Sequence, residues 1–248
     1  MARPSPSPLA GAVALGLLLF AGAATAEETQ CQAPPELLAS EAKLPRLAQH
    51  LKERKPVTIV AIGGSSTAGN AVPSPAQAYP ARLEAALTKR YPGVPIRVLN
   101  KGAPHEDAQQ VLARFPRDVV AENPDLAIWE TGTIEAVRRM DVESFATTLD
   151  EGLALLYAQH IDAILVNMQY SHKTAAVIDF DPYLDTMRRV ADLNDAYLFP
   201  RFEIMKFWSD NGIFDFETVP KADRPSLATK VYDCLARQLA DAIAEALP

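Results

Sequence analysis

A serine lies in a glycine-rich turn that directly follows a strand-like run of apolar residues. The run Val57–Ile62 is followed by the sequence GGSSTAG, in which Ser65 is the first serine. Open α/β sheets bind their ligands at the C-terminal edge of their strands, which is where this turn would lie. A serine hydroxyl there acts as a nucleophile when a base takes its proton and hydrogen-bond donors stabilise the oxyanion. Ser65 is therefore the first candidate for acyl-transfer chemistry.

Three other glycine-rich motifs do not fit this turn. A phosphate-binding loop needs Lys and then Ser or Thr after its last glycine, but Asn70 and Ala71 follow Gly69. The G-x-G-x-x-G spacing of dinucleotide-binding turns is also missing. The α/β-hydrolase pattern G-x-S-x-G fails because Thr67 occupies the place of the second glycine. A plain Gly–Ser turn without chemistry is the remaining alternative.

Short apolar runs alternate with amphipathic segments along the chain. Apolar runs without polar alternation are typical of strands covered on both faces, and their alternation with helices indicates a parallel sheet. We therefore predict a single three-layer α/β/α sandwich with a five-stranded parallel sheet. The predicted strands are Val57–Ile62, Ile96–Asn100, Leu126–Glu130, Ala163–Met168 and Ala196–Phe199. The predicted helices are Pro80–Tyr91, Asp107–Arg114, Val142–Gln159, Pro182–Asn194 and Pro225–Leu247.

The order and spacing of four segments resemble the SGNH (GDSL-type) esterases and lipases. In that family a nucleophile turn is followed by a second block after strand two, a third after strand three and a fourth near the C-terminus. The corresponding segments here are GGSSTAG at 63–69, NKGAPHED at 100–107, WETGTIEA at 129–136 and DRPS at 223–226. The resemblance covers essentially all of the predicted domain. It implies a flavodoxin-like SGNH-hydrolase fold and a serine ester hydrolase site.

The residues that the family uses around its serine are largely replaced in this sequence. The resemblance maps the family's oxyanion-hole glycine onto His105, its oxyanion-hole asparagine onto Ile134 and its histidine base onto Ser226. Ser65 and Asp223 are the positions that keep the family's residue types. Because no histidine follows His172, a shifted alignment cannot restore a C-terminal base. We therefore expect little or no ordinary esterase activity.

Two histidines are candidates for a base that replaces the one missing near the C-terminus. His105 takes the place of a residue that touches the reaction centre in the family, and His172 lies on the loop after the fourth predicted strand. Either would restore proton transfer if it reached Ser65, although an exposed loop histidine is the simpler interpretation of each. Asp223 has an alternative role as the cap of the last helix. Besides Ser65, we expect the crevice to be lined by Gly64, Ser66, Thr133, Gln169 and His172.

The first 26 residues have the pattern of a signal peptide. A short apolar run is followed by Ala24-Thr25-Ala26, which is a small-x-small cleavage site. We therefore predict a signal peptide at 1–26, an N-terminal segment at 27–55 and the SGNH-hydrolase-like domain at 56–248. This organisation indicates an exported protein, periplasmic or secreted, without a membrane anchor.

The chain contains two cysteines, Cys31 and Cys234. In an oxidising compartment a single pair most often forms a disulfide, whereas two unrelated buried thiols are the alternative. Cys234 directly precedes Leu235 in a stripe of apolar residues that we expect to face the core. The stripe runs at i, i+4 spacing through Leu227, Val231, Leu235, Leu239 and Ile243.

Charge and composition exclude several classes of partner and cofactor. The net charge is −7 and the sequence has no basic runs, which argues against nucleic acid as the main partner. The four scattered histidines and two cysteines show no metal-ligand spacing, and no cofactor motif is present. Three functions remain. The first is a protein that binds a small molecule, glycan, acyl group or protein in the crevice beside Ser65. The second is a hydrolase or acyltransferase in which His105 or His172 replaces the lost base, and the third is a scaffold that interacts through another part of its surface.

Overall fold

The computed structural model describes Met1 and residues 31–248. Apart from Met1, the predicted signal peptide lies outside the described residues. Within the described part, no helix has the length and apolar character needed to cross a membrane.

A five-stranded parallel sheet forms the centre of the domain, as predicted. Its strands are β1 (Val57–Gly63), β2 (Ile96–Gly102), β3 (Leu126–Glu130), β4 (Asp162–Val166) and β5 (Tyr197–Phe199). They lie side by side in the order β2-β1-β3-β4-β5, and every neighbouring pair is parallel. Every residue of β3 and β4 is buried, because helices cover both faces of the sheet. The parallel order brings the C-terminal ends of β1, β3 and β4 to one edge.

Helices of very different lengths connect and cover the strands. Pairs of the long helices pack together, α4 against α12 and α8 against α10. The helices are α1 (Pro35–Leu38), α2 (Pro45–Lys52), α3 (Ser65–Ala68), α4 (Tyr79–Arg90), α5 (Ala108–Ala113), α6 (Phe115–Asp118), α7 (Thr133–Arg138), α8 (Val142–Ala158), α9 (His172–Ala175), α10 (Asp181–Leu193), α11 (Arg201–Asp210) and α12 (Arg224–Glu245), with 3-10 turns at Pro75–Gln77 and Val120–Glu122.

The sequence prediction missed α11. This helix alternates charged residues with large apolar ones, so its apolar stripe is interrupted. Phe202, Ile204 and Trp208 are buried as expected for a core-facing side, but Arg201 is buried with them. A buried arginine at the start of a helix breaks the amphipathic pattern on which the prediction depended.

A disulfide joins Cys31 to Cys234, with the two Cα atoms 5.3 Å apart. The predicted pairing is confirmed, and it ties the segment before α1 to the middle of α12. Closing a loop of this length contributes about 5 kcal/mol in the chain-entropy description of disulfides. The Arg237 guanidinium lies against the bond, with Nη2 2.9 Å from the Cys31 sulfur.

Two buried aspartates fix α2 at the N-terminal edge of the sheet, opposite Ser65. Asp162 accepts the backbone N–H of Leu47 in the first turn of α2 at 2.9 Å. Asp125 accepts the backbone N–H of Thr58 at 2.9 Å and the Arg46 Nε–H at 3.2 Å. Burial raises the pKa of Asp162 to about 6, against the lowering effect of its backbone hydrogen bonds and of Arg46.

We predict that Asp162→Asn changes the pH dependence of stability. Since the folded-state pKa is raised from the ordinary value of 3.8 to about 6, the folded protein binds a proton that the unfolded chain has released. The stabilisation from this proton is complete below pH about 4 and is lost as the pH rises through about 6. Asn cannot ionise but still accepts the Leu47 N–H, so the variant should gain up to about 3 kcal/mol relative to wild type between these limits.

Urea unfolding at pH 4.5, 6 and 7.5 measures this difference. Asp192→Asn is the matched control, because Asp192 is exposed on α10. A difference between wild type and Asp162→Asn that stays constant over this range would contradict the prediction.

Candidate functional site

Ser65 is the first residue of α3, two residues past the end of β1. The turn is tight at both ends. Gly69 ends α3 with φ +82°, a left-handed conformation that suits glycine. Gly102 at the end of β2 lies so close that a Cβ atom there would meet the Ala68 nitrogen at 2.1 Å. The Ser65 turn therefore packs directly against β2.

The carboxylate of Glu130, the last residue of β3, lies beneath this turn. Its Oε2 accepts the backbone N–H groups of Gly64 at 3.1 Å and Thr67 at 3.3 Å, and the Thr67 hydroxyl at 2.9 Å. The Thr67 hydroxyl also lies 3.3 Å from the hydroxyl of Tyr79, whose pKa is raised by burial. One carboxylate oxygen therefore satisfies three donors of the turn that carries Ser65.

The second oxygen of Glu130 is paired with Arg201, the first residue of α11. The Arg201 Nη2 lies 3.1 Å from Glu130 Oε1, and the two side chains are 3% and 5% exposed. Arg201 Nε has no hydrogen-bond partner among the described residues. The pair joins β3 to α11 inside the protein, where breaking such a pair leaves an uncompensated charge.

A small cleft of about 60 Å³ lies over Ser65. Hydroxyl groups and carboxylates contribute much of its polar surface, while Ile134 contributes an apolar wall. The Thr133 hydroxyl is buried and has no hydrogen-bond partner among the described residues. The cleft is lined by Gly64, Ser65, Ser66, Glu106, Glu130, Thr131, Gly132, Thr133, Ile134, Glu135 and Gln169.

Four of the five residues that we expected to line the crevice with Ser65 do so. They are Gly64, Ser66, Thr133 and Gln169, and Ser66 Oγ lies 3.4 Å from Gln169 Oε1. His172 is not among the lining residues. Burial raises the pKa of Tyr232 in α12, and the Ser66 side chain acts against this shift.

The other two acidic residues of the cleft, Glu106 and Glu135, interact with other groups of the protein. Glu106 Oε2 lies 2.8 Å from Arg114 Nε. Glu135 accepts the backbone N–H of Ala108, and burial raises the pKa of its carboxyl group. Among the described residues, no group of His, Cys, Asp and Glu side chains is arranged to hold a metal ion.

His105 lies on the exposed loop after β2. Its backbone has φ +68°, in the left-handed region that favours glycine. This conformation agrees with the family's use of glycine at the position that we map onto His105. The backbone carbonyl of His105 lies 3.4 Å from Arg138 Nη2, and the side chain does not line the Ser65 cleft.

The His172 imidazole interacts with two neighbouring side chains, those of Tyr170 and Asp210. Its Nδ1 bonds to the Tyr170 hydroxyl at 2.7 Å, and its Nε2 lies 3.6 Å from Asp210 Oδ1. The remaining histidines, His50 and His160, lie beside Asp162 at the opposite edge of the sheet. Among the hydrogen bonds of residues 31–248, none joins Ser65 to an imidazole.

The fourth block lies at the start of α12. Asp223 is the residue at the N-cap position, but its side chain makes no capping hydrogen bond. Asp223 and Ser226 are both exposed, and neither is among the residues that line the Ser65 cleft. The catalytic role of Asp223 and the mapping of Ser226 onto the family's base stay predictions.

Glu130 and Arg201 were not among the site residues predicted from the sequence. Glu130 is a charged residue at the end of an otherwise apolar strand, which was the available signal. Nothing comparable marked Arg201, because the helix that it begins was not predicted.

The chain belongs to the non-GDSL lipase-like family, whose pattern it matches over residues 30–248. This family agrees with the resemblance to SGNH esterases and lipases. No curated protein matches the sequence.

Solved structures of esterases share the fold. A catalytic mutant of an acetylxylan esterase from Geobacillus stearothermophilus, with a histidine replaced by alanine, is 21% identical with a TM-score of 0.59, covering 77% of this chain and 96% of its own. A two-domain esterase active on acetylated mannans is 19% identical with a TM-score of 0.67, covering 84% of this chain and 56% of its own. An α/β hydrolase from the metagenome of Lake Arreo is 21% identical with a TM-score of 0.60. The match covers 77% of this chain and 97% of the hydrolase chain.

We predict that Glu130→Ala destabilises the protein by about 3–5 kcal/mol, because it leaves the buried Arg201 charge and three donors of the Ser65 turn unpaired. The double variant Glu130→Ala/Arg201→Met should recover part of this loss, since it removes the unpaired charge. Thermal and denaturant unfolding of the wild type, both single variants and the double variant measures the coupling. Additive losses in this cycle would show that the ion pair contributes no coupling energy.

Proposed function

We propose that this protein binds an acyl-ester ligand in the Ser65 cleft and is strongly impaired as a serine esterase. The arrangement of Ser65 carries the proposal. The turn, the strand end and the short helix that present a nucleophile are all present, but no base contacts the hydroxyl. Among residues 31–248, no hydrogen bond joins the Ser65 side chain to a histidine or a carboxylate. A neutral serine hydroxyl without a base is a poor nucleophile.

The stabilisation of an oxyanion is also weakened. Ile134, which lines the cleft, has no side-chain donor at the position that we map onto the family's asparagine. Loss of one such donor typically lowers kcat by about 10²–10³. The negative charge of Glu130 beneath the turn is balanced by Arg201 and supplies no donor toward the cleft. The missing base and the missing donor together support binding over turnover.

The size and polarity of the cleft suit an ester group. A volume of about 60 Å³ exceeds the ~10–15 Å³ that one water molecule needs, so the cleft has room for a small group. This matches a carbonyl and its adjoining carbon, with the hydroxyls of Ser65, Ser66 and Thr133 as polar contacts. Two of the structures with the same fold are esterases described as acting on acetylated or acetyl-bearing polysaccharides.

We predict that wild type and Ser65→Ala hydrolyse p-nitrophenyl acetate at the same rate, close to that of buffer alone. Fluorophosphonate labelling of Ser65 should likewise be absent. Robust wild-type turnover that disappears in Ser65→Ala would overturn the non-catalytic part of the proposal and favour a rewired base. His105→Ala and His172→Ala would then identify which histidine acts.

Binding is tested separately with acetylated xylo-oligosaccharides and the same sugars after deacetylation. We expect the acetylated form to bind at least tenfold more tightly, and Ile134→Trp to abolish this preference by filling the cleft. Val137→Trp is the matched control, because Val137 is exposed on the same helix and does not line the cleft. Equal binding of the two sugar preparations would contradict an acyl-ester ligand and favour a scaffold role.

A further inference from the structure

Two consecutive arginines lie beside the Ser65 cleft, and we refer to them as the arginine rim. They are Arg138, the last residue of α7, and Arg139, which directly follows it. Ile134 lines the cleft and precedes Arg138 by four residues, so the two side chains lie on the same face of α7. Both arginines are exposed. The rim is therefore one helical turn away from a wall of the cleft.

The loop after β2 holds Arg138 at this position. Its Nη2 lies 3.4 Å from the His105 carbonyl oxygen, and its Nη1 lies 3.4 Å from Asp107 Oδ2. These two residues flank Glu106, which also lines the cleft. Both contacts are long, and the Arg138 side chain is 49% exposed. A guanidinium group has five N–H donors, so Arg138 keeps donors for a ligand beside the cleft.

The carboxylates near the rim are held by other groups. Glu106 is paired with Arg114. Asp107 is shared between Arg138 and the cap of α5, because its Oδ1 accepts a backbone N–H from the first turn of that helix. Asp141 accepts a backbone N–H and a hydroxyl in the first turn of α8. Arg139 makes no ion pair with another described residue. The rim thus has two guanidinium groups and one shared carboxylate, although the whole chain has a net charge of −7.

The size of the cleft determines which part of a ligand meets the rim. A volume of about 60 Å³ has room for a small acyl group, so the molecule that carries the ester lies outside the cleft. There it meets the exposed side chains of His105, Arg138 and Arg139. The planar guanidinium group binds a carboxylate through two parallel hydrogen bonds. These groups favour a hydrophilic carrier that bears a carboxylate and disfavour a cationic one.

We propose that the arginine rim binds the carboxylate of a uronic acid in an acetylated acidic glycan whose ester lies in the Ser65 cleft. The inference rests on the proposed function and names its ligand class. The glycan is recognised at two points, by its acyl group in the cleft and by its negative charge at the rim. A neutral acetylated glycan satisfies only the first of these.

The probes are acetylated xylo-oligosaccharides with glucuronic acid side groups, and the same preparation after conversion of each carboxylate to a primary amide. The amide removes the charge and keeps the size of the sugar. In calorimetric titrations at low salt we expect the uronate form to bind about tenfold more tightly. This preference should disappear at 1 M NaCl, where the Debye length is about 3 Å. Equal affinities of the two forms at low salt overturn the proposal.

Two variants assign the effect to the rim. Arg138→Gln and Arg139→Gln should each reduce the preference for the uronate form about threefold, and the double variant should remove it. Arg189→Gln is the matched control, because it removes the same charge from an exposed position on α10. If Arg138→Gln does not fold, Arg139→Gln provides the test, since the Arg139 side chain makes no ion pair with a described residue. An unchanged preference in the folded variants overturns the assignment.

Deacetylation of both probes separates this inference from the proposed function. If the uronate and amide forms bind equally while deacetylation still weakens binding, the rim inference fails and the proposed function stands. If the uronate form is preferred but deacetylation costs no affinity, the proposed function fails. The rim is then an anion site that acts without an ester in the cleft, which overturns the shared site.

Discussion

The carboxylate of Glu130 is the interaction on which the candidate site depends. It accepts two backbone N–H groups and one hydroxyl from the turn that carries Ser65, and it pairs with Arg201 on the far side. This single side chain joins β3, the Ser65 turn and α11. Buried donors are almost always satisfied, so removal of this carboxylate would leave three donors of the turn without their partner. Positioning of Ser65 is therefore built into the core of the domain.

The site presents a serine hydroxyl at the end of β1, and among the described residues no hydrogen bond joins this hydroxyl to an imidazole or a carboxylate. Its cleft retains hydroxyls and a preformed shape, while Ile134 lines the wall and both nearby histidines are directed to other partners or to solvent. Binding needs shape and matched polarity, whereas acyl transfer also needs a base within hydrogen-bond reach. This difference supports the proposed binding role over acyl transfer.

The sequence predicted the five-stranded sheet, the parallel direction of its strands and the disulfide, because these follow from strong local signals. Buried strands such as Leu126–Glu130 form short apolar runs, and two cysteines allow one pairing. The ion pair and α11 were not predictable in this way, since Arg201 interrupts the apolar pattern and meets Glu130 only through the fold. Sequence spacing alone could not show that His105 and His172 lie outside the cleft lining.

The Cys31–Cys234 bond also sets an order of events during synthesis of the chain. The two residues are separated by 203 positions, so one thiol emerges early and the other only when almost all of the domain has been made. The described domain contains no other cysteine that could pair in the meantime. The bond can therefore close only after the chain has been translated as far as Cys234 in α12. A chain truncated before α12 would keep a free Cys31 thiol, which distinguishes it chemically from the disulfide-bonded protein.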